Sequence, residues 1–365
     1  MVSLIIAYIL FFSSSQKEES LIQKIGDNIL EEELKSVILV SAPKEKWDFE
    51  LGLKEVEIRH PLFYKLKEGL HQYIVGQDEF LHSLLIGLLT SNHILVEGVP
   101  GLAKTKTLEV LTRLLKLDFK RLQFTPDMLP SDIIGTQIFN LKTQEFEVQK
   151  GPVFTNILLA DEINRTTPKV QSALLEAMQE KKVNIGGEEF ELPAPFFVLA
   201  TQNPIEQEGT YSLPEAQIDR FMFKVLVDYP SFEQEVAILD KAREDVENIK
   251  PIITKEDILQ AQQEIEDIEV PAQLKRYIVG LVRSTRVLGN YVVLWASPRG
   301  EIAIYQAAKA LAYLKGKQKV DIEETRQVAL NALRHRLILS PQAEVEGLKE
   351  DDLLMEVLPK VPTMI

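Results

Sequence analysis

The sequence predicts an α/β domain organised around a phosphate-binding loop and followed by a smaller all-helical domain. Three observations carry that prediction. An apolar run, residues 94–97, ends in Glu97 and passes through the turn Gly98, Val99, Pro100, Gly101, Leu102 and Ala103 into a helix opened by Lys104, Thr105 and Lys106. A second apolar run, residues 157–160, ends in the paired carboxylates Asp161 and Glu162. Beyond Tyr229 and Pro230 the strand signals fade and helical periods take over.

The first stretch has the layout of a phosphate cradle. Glycines let backbone N–H groups point at phosphate oxygens, and the positive end of the helix adds to their pull on an anion. Lys104 would set its ammonium between the β- and γ-phosphates, and the Thr105 hydroxyl would ligate Mg²⁺. The pattern G-x-x-x-x-G-K-[ST] is met except that Ala103 stands at its second glycine. A methyl group is tolerated there if that residue already has helical dihedrals.

Composition sets the outer limits. With 365 residues, of which 45% are hydrophobic, two domains are expected. The absence of cysteine excludes a disulfide framework and thiolate metal sites and fits a reducing cytoplasm. A formal net charge of -14 with no local basic cluster argues against nucleic-acid binding. Residues 2–12 are apolar but too short to span a bilayer and lack the flanks of a secretory signal. They are read as a leader, with a weak membrane tether or a misplaced start codon left open. Residues 16–36 are charged and amphipathic, which predicts a helix.

The rest follows in chain order. Helices are expected over 61–69 and 81–89; between them either Gly76 is only a cap, or Ile74 and Val75 form an apolar shelf for an adenine ring. After the loop come a helix over 108–117, a strand over 120–124 and a hairpin joining 137–139 to 146–149. The 156–161 strand brings Asp161 and Glu162 to one site only if the chain turns there, since neighbours on a strand point to opposite faces. Asp161 would then hold Mg²⁺ through its water shell and Glu162 would polarise the attacking water; alternatively the pair caps the helix over 168–180. A second hairpin turns at Gly186 and Gly187, and the buried strand from Phe196 ends near Asn203, either a turn former or a holder of the lytic water. Arg220 reads as a surface ion pair or as an arginine placed in a neighbouring subunit's site. Arg299, at a helix start, is either solvated or reaches back to the γ-phosphate across the domain cleft.

Taken in order, these residues resemble the AAA+ ATPases, and within them the MoxR family. The resemblance rests on Glu97-Gly-Val-Pro-Gly-Leu-Ala-Lys-Thr105, Leu159-Ala-Asp-Glu-Ile-Asn-Arg165, Leu199-Ala-Thr-Gln-Asn-Pro-Ile-Glu-Gln-Glu-Gly-Thr-Tyr211 and Leu213-Pro-Glu-Ala-Gln-Ile-Asp-Arg-Phe221. It implies a P-loop core with a five-stranded parallel sheet between helices, and a small all-helical lid. The expected division is an N-terminal extension at 1–60, the core at 61–228, and the lid and tail at 229–365. By the same resemblance Lys104 and Thr105 are the Walker A pair, and Asp161 and Glu162 are Walker B. Asn203 is sensor 1, Arg220 the arginine finger and Arg299 sensor 2. The family commonly carries alanine at the Ala103 position. ATP and Mg²⁺ are the implied cofactors, and a homo-oligomer, a hexamer by family habit, is the implied assembly. The implied task is chaperone-like remodelling or maturation of client proteins, alongside a separate polypeptide bearing a von Willebrand A domain. Two other readings stay open: an ATP-binding switch without turnover, and the motor subunit of a metal-chelatase-like complex.

Overall fold

The computed structural model describes residues 52–98, 104–203, 210–241, 246 and 248–363. The expected helix over 16–36 lies outside them, as do loop residues Val99, Pro100, Gly101, Leu102 and Ala103. The core half runs α1 (Pro61–Tyr73), α2 (Asp78–Leu89), β1 (Ile94–Glu97), α3 (Lys104–Leu114), β2 (Phe119–Gln123), α4 (Pro130–Ile134), β3 (Gly135–Asn140), β4 (Glu145–Lys150), β5 (Ile157–Asp161), α5 (Pro168–Glu180), β6 (Lys182–Ile185), β7 (Glu188–Glu191), β8 (Phe197–Gln202), α6 (Glu215–Ile218) and β9 (Phe223–Leu226). The C-terminal half is α7 (Phe232–Asp240), α8 (Lys255–Glu266), α9 (Ala272–Ser284), β10 (Val292–Leu294), α10 (Pro298–Leu314), α11 (Ile322–Leu333), β11 (Ile338–Leu339), α12 (Pro341–Val345) and α13 (Glu350–Val357).

Five strands form one sheet in the order β2-β5-β8-β1-β9, with every pairing parallel. The inner strands are apolar without a break because both sheet faces are covered. Alternation still sorts their side chains. Ile94, Val96, Ile157, Leu159, Phe197 and Leu199 join the core shared with α1, α2, α3 and the C-terminal helices. Leu95, Leu158, Ala160, Val198 and Ala200 face the opposite core, built on α5. The packed fold begins ahead of residue 61, since Leu53, Val56 and Ile58 are already buried in the first of these cores. In the C-terminal half a short antiparallel pair, β10 with β11, accompanies the helices. Both expected hairpins form, as β3–β4 and β6–β7.

His93 ties this architecture together just before β1. Its Nδ1 accepts the Val198 N–H at 3.0 Å, and its Nε2 donates to the Met178 carbonyl at 3.0 Å. Only the neutral ring can do both, and burial pushes its pKa down to about 4. In the unfolded chain the ring protonates near 6.5. The stability it supplies is therefore complete above that pH and is lost as pH falls toward 4. Between pH 7 and pH 5 the loss from His93 is on the order of 2 kcal/mol. Urea unfolding of wild type and His93→Gln at both pH values checks this: wild type should lose more stability on acidification by about that amount, and an equal loss in the two proteins contradicts it.

Candidate nucleotide site

The polar ends of the strands gather on one edge of the sheet. Gln123, Asp161, Gln202 and Glu97 are the last residues of β2, β5, β8 and β1, and Asn203 is buried immediately after β8. The chain turns as the two carboxylates require. Glu162 has φ 58° and ψ 50°, the left-handed region, and a 3₁₀ turn, Ile163–Arg165, follows. A non-glycine residue held there costs on the order of 1–2 kcal/mol. One hydroxyl offsets part of that cost. Thr201 Oγ1 accepts the Glu162 N–H at 2.9 Å and donates to Asp161 Oδ1 at 2.6 Å.

Neighbouring side chains aim the acids. Arg121 donates to Asp161 Oδ2 from NH2 at 2.6 Å and from Nε at 3.1 Å. Glu162 Oε2 accepts from Gln123 Nε2 at 2.5 Å and pairs with Arg165 Nε at 3.1 Å. Across the edge, Lys104 opens α3 and donates from Nζ to the Gly98 carbonyl at 2.9 Å. Burial lowers the pKa of this ammonium, while the charges of Asp161 and Glu162 oppose the shift. Gly98 has no room for a side chain: a Cβ there would stand 2.5 Å from the Val227 carbonyl oxygen. Thr105 and Lys106 follow in the first turn of α3.

These groups fit a nucleoside triphosphate with a hard cation. The donor set is a hydroxyl, a carboxylate and an ammonium beside a glycine at which the backbone is closely packed. Among the described residues no group of three or more His, Cys, Asp or Glu could hold a metal by itself, and Mg²⁺ shared between Thr105, Asp161 and phosphate oxygens does not need one. Beyond β9, on the same edge, a cleft of about 510 Å³ is lined by Gln77, Phe80, Val227, Tyr229, Pro230 and Gln234. Ile74 lies in the core and Val75 is half-buried; the residues just after them line the cleft.

The pattern of the ATPase family associated with various cellular activities (AAA) matches residues 93–223, and that of the AAA lid domain matches residues 289–357. The chain is 45% identical to chaperone MoxR1 of Mycobacterium tuberculosis over 79% of this chain and 78% of that protein. It is also 45% identical to the uncharacterised protein YeaC of Bacillus subtilis, over 83% and 95%. The chain belongs to the MoxR family of AAA+ ATPases. A crystal structure of a candidate ATPase from Cytophaga hutchinsonii superposes with a TM-score of 0.78 at 43% identity, covering 83% of this chain and 95% of that one.

In this MoxR-family chain the two arginines singled out from sequence stand elsewhere. Arg220 and Arg299 line a separate cleft of about 410 Å³ together with His93 and Met222, which precede β1 and β9. That places them at the N-terminal ends of the parallel strands, one strand length from Lys104. For the four residues of β1 this is about 13 Å. The Arg299 guanidinium sits 3.7 Å from Asp219 Oδ2, in the cleft beside His93 and Met222. Arg220 is exposed beside it. Sequence reasoning missed Thr201, Arg121 and Gln123; polar residues at the ends of apolar runs were the available signal. It also missed Asp219, Ser297 and Arg336 on the opposite edge, where only the fold brings positions 219, 297 and 336 together.

Thr201→Val removes the hydroxyl but keeps the branched shape, leaving the Glu162 N–H without its acceptor. Urea unfolding should show a loss of about 1–3 kcal/mol, largely restored in Thr201→Ser. A Thr201→Val protein as stable as wild type contradicts the bridging role.

Proposed function

We propose that this MoxR-family protein hydrolyses ATP with Mg²⁺ as a ring of identical subunits, a hexamer by resemblance, and uses the cycle to remodel or mature partner proteins. The observation that carries the reading is the convergence of Lys104, Asp161, Glu162 and Asn203 on one sheet edge while Arg220 stands exposed on the other. Lys104 binds and offsets phosphate charge, Thr105 and Asp161 hold the cation, and Asn203 and Glu162 hold and polarise the attacking water. Mg²⁺, held by Thr105 and Asp161, would supply positive charge against the charge developing on the phosphate. Arg220 serves the neighbouring subunit's triphosphate, since its own lies a strand length away. Arginines in that role are worth on the order of 10³ to 10⁵ in rate. Arg299, at the same edge, stands beside it rather than over its own chain's phosphates.

The relative named chaperone MoxR1 supports a client-handling role. So does the β3–β4 hairpin, which exposes Leu141, Phe139 and Phe146, the two rings packed edge to face at 5.3 Å. A separate polypeptide with a von Willebrand A domain is the partner suggested by resemblance. The cytoplasm is the proposed compartment; among the described residues no helix is long and apolar enough to cross a membrane.

Steady-state phosphate release tests this. Wild type should turn over with Mg²⁺ and stop with EDTA, and Glu162→Gln should bind ATP yet slow by roughly 10² to 10⁴. Mixing Arg220→Ala with Glu162→Gln subunits should recover activity that neither has alone. An inert wild type at saturating Mg-ATP, or Glu162→Gln turning over at the wild-type rate, overturns the reading.

A further inference from the structure

Among the contacts between the lid half and the core, two lid elements converge on one carboxylate, Asp219, the residue before Arg220. Arg336, from the 3₁₀ turn after α11, is buried with 3% of its side chain exposed, and its Nε donates to Asp219 Oδ1 at 2.8 Å. Its NH2 donates to the carbonyls of Asp219 at 3.1 Å and Phe221 at 2.9 Å, and its NH1 to those of Met222 at 3.2 Å and Ala332. One guanidinium thus grips the backbone on both sides of Arg220. A second lid element holds the same acid: Ser297, the N-cap of α10, donates its hydroxyl to both Asp219 oxygens at 3.0 Å while accepting the Arg299 N–H. Arg299 NH1 adds a longer contact at 3.7 Å.

A buried guanidinium needs its carboxylate, so Arg336 cannot let go of Asp219 cheaply. The α10 start cannot shift against the core without stretching the Ser297 bonds. We propose that Asp219 is a positioning residue: held by Arg336 and Ser297, it locks the segment carrying Arg220 to the lid, so that lid posture in one subunit sets how Arg220 is presented to the next subunit's triphosphate. This rests on the reading that Arg220 acts on a neighbour. It adds a route by which movement of one lid alters hydrolysis in the adjacent copy, with Ser297 and Asp219 as the coupling bond.

Mixed rings separate positioning from mere stability. In a mixture of Arg220→Ala and Glu162→Gln subunits, recovered phosphate release comes from Arg220→Ala sites served by the arginine of a Glu162→Gln neighbour. Asp219→Asn placed on the Glu162→Gln subunit should cut the recovered rate by about tenfold or more. The same change placed on the Arg220→Ala subunit should leave that rate within about twofold, because that subunit's segment has no arginine to present. Ser297→Ala, which removes a neutral hydroxyl and leaves the Arg336 pair intact, should repeat the asymmetry if Asp219→Asn fails to assemble. Equal loss in both placements, or loss in neither, overturns the inference. No recovery in the starting mixture overturns instead the neighbour role of Arg220, and with it the ground on which the inference stands.

Discussion

Because β2, β5, β8, β1 and β9 all run the same way, the sheet has two chemically unlike edges, and the candidate site residues are distributed between them. At the C-terminal edge, strands that are apolar along their length end in Gln123, Asp161, Gln202 and Glu97, with Asn203 close behind. Polar groups placed there lie outside the packed layers, where a ligand can reach them while the strands stay buried. The N-terminal edge carries Arg220 and Arg299, the second paired with Asp219. A nucleotide gripped at the first edge would therefore lie about a strand length from Arg220 and Arg299 of its own chain. In the proposed ring, a second copy turned head to tail would bring unlike edges together and close that distance.

The acid pair shows how local strain is held by the fold. Strand geometry alone would send Asp161 and Glu162 to opposite faces, and the left-handed turn at Glu162 defeats that alternation. Thr201, from the adjacent strand, joins the two residues through one hydroxyl, so the pairing of β5 with β8 is also what sets the geometry of the carboxylates. Gln123 and Arg121, from β2 on the other side, complete the grip. Site and sheet register are thus one structure rather than a site laid upon a scaffold.

Much of this was legible before any coordinates. Apolar runs ending abruptly in acids or amides mark buried parallel strands with polar C-terminal ends, and the Gly98-to-Thr105 pattern predicts a phosphate-binding loop. The sorting of Leu95 from Val96, or Leu158 from Leu159, onto opposite cores was not legible, because a strand buried on both faces has no polar alternation to read. The double role of Thr201 depends on strand neighbours that local pattern does not specify. Arg299 reads either as a solvated helix start or as reaching the phosphates, because a helix-start arginine carries no record of which sheet edge its helix meets. The union of Asp219 with Ser297 and Arg336 depends on packing across the whole chain. No spacing rule reaches that far.

A structure of the Glu162→Gln ring trapped with ATP and Mg²⁺ tests the two-edge account most directly. The account predicts triphosphate density against Lys104, a cation between Thr105 and Asp161, and the arginine at that phosphate arriving as Arg220 from the adjacent subunit. Nucleotide found instead in the cleft of Arg220 and Arg299 within one chain, or a triphosphate in place with every subunit's Arg220 turned to solvent, would contradict it.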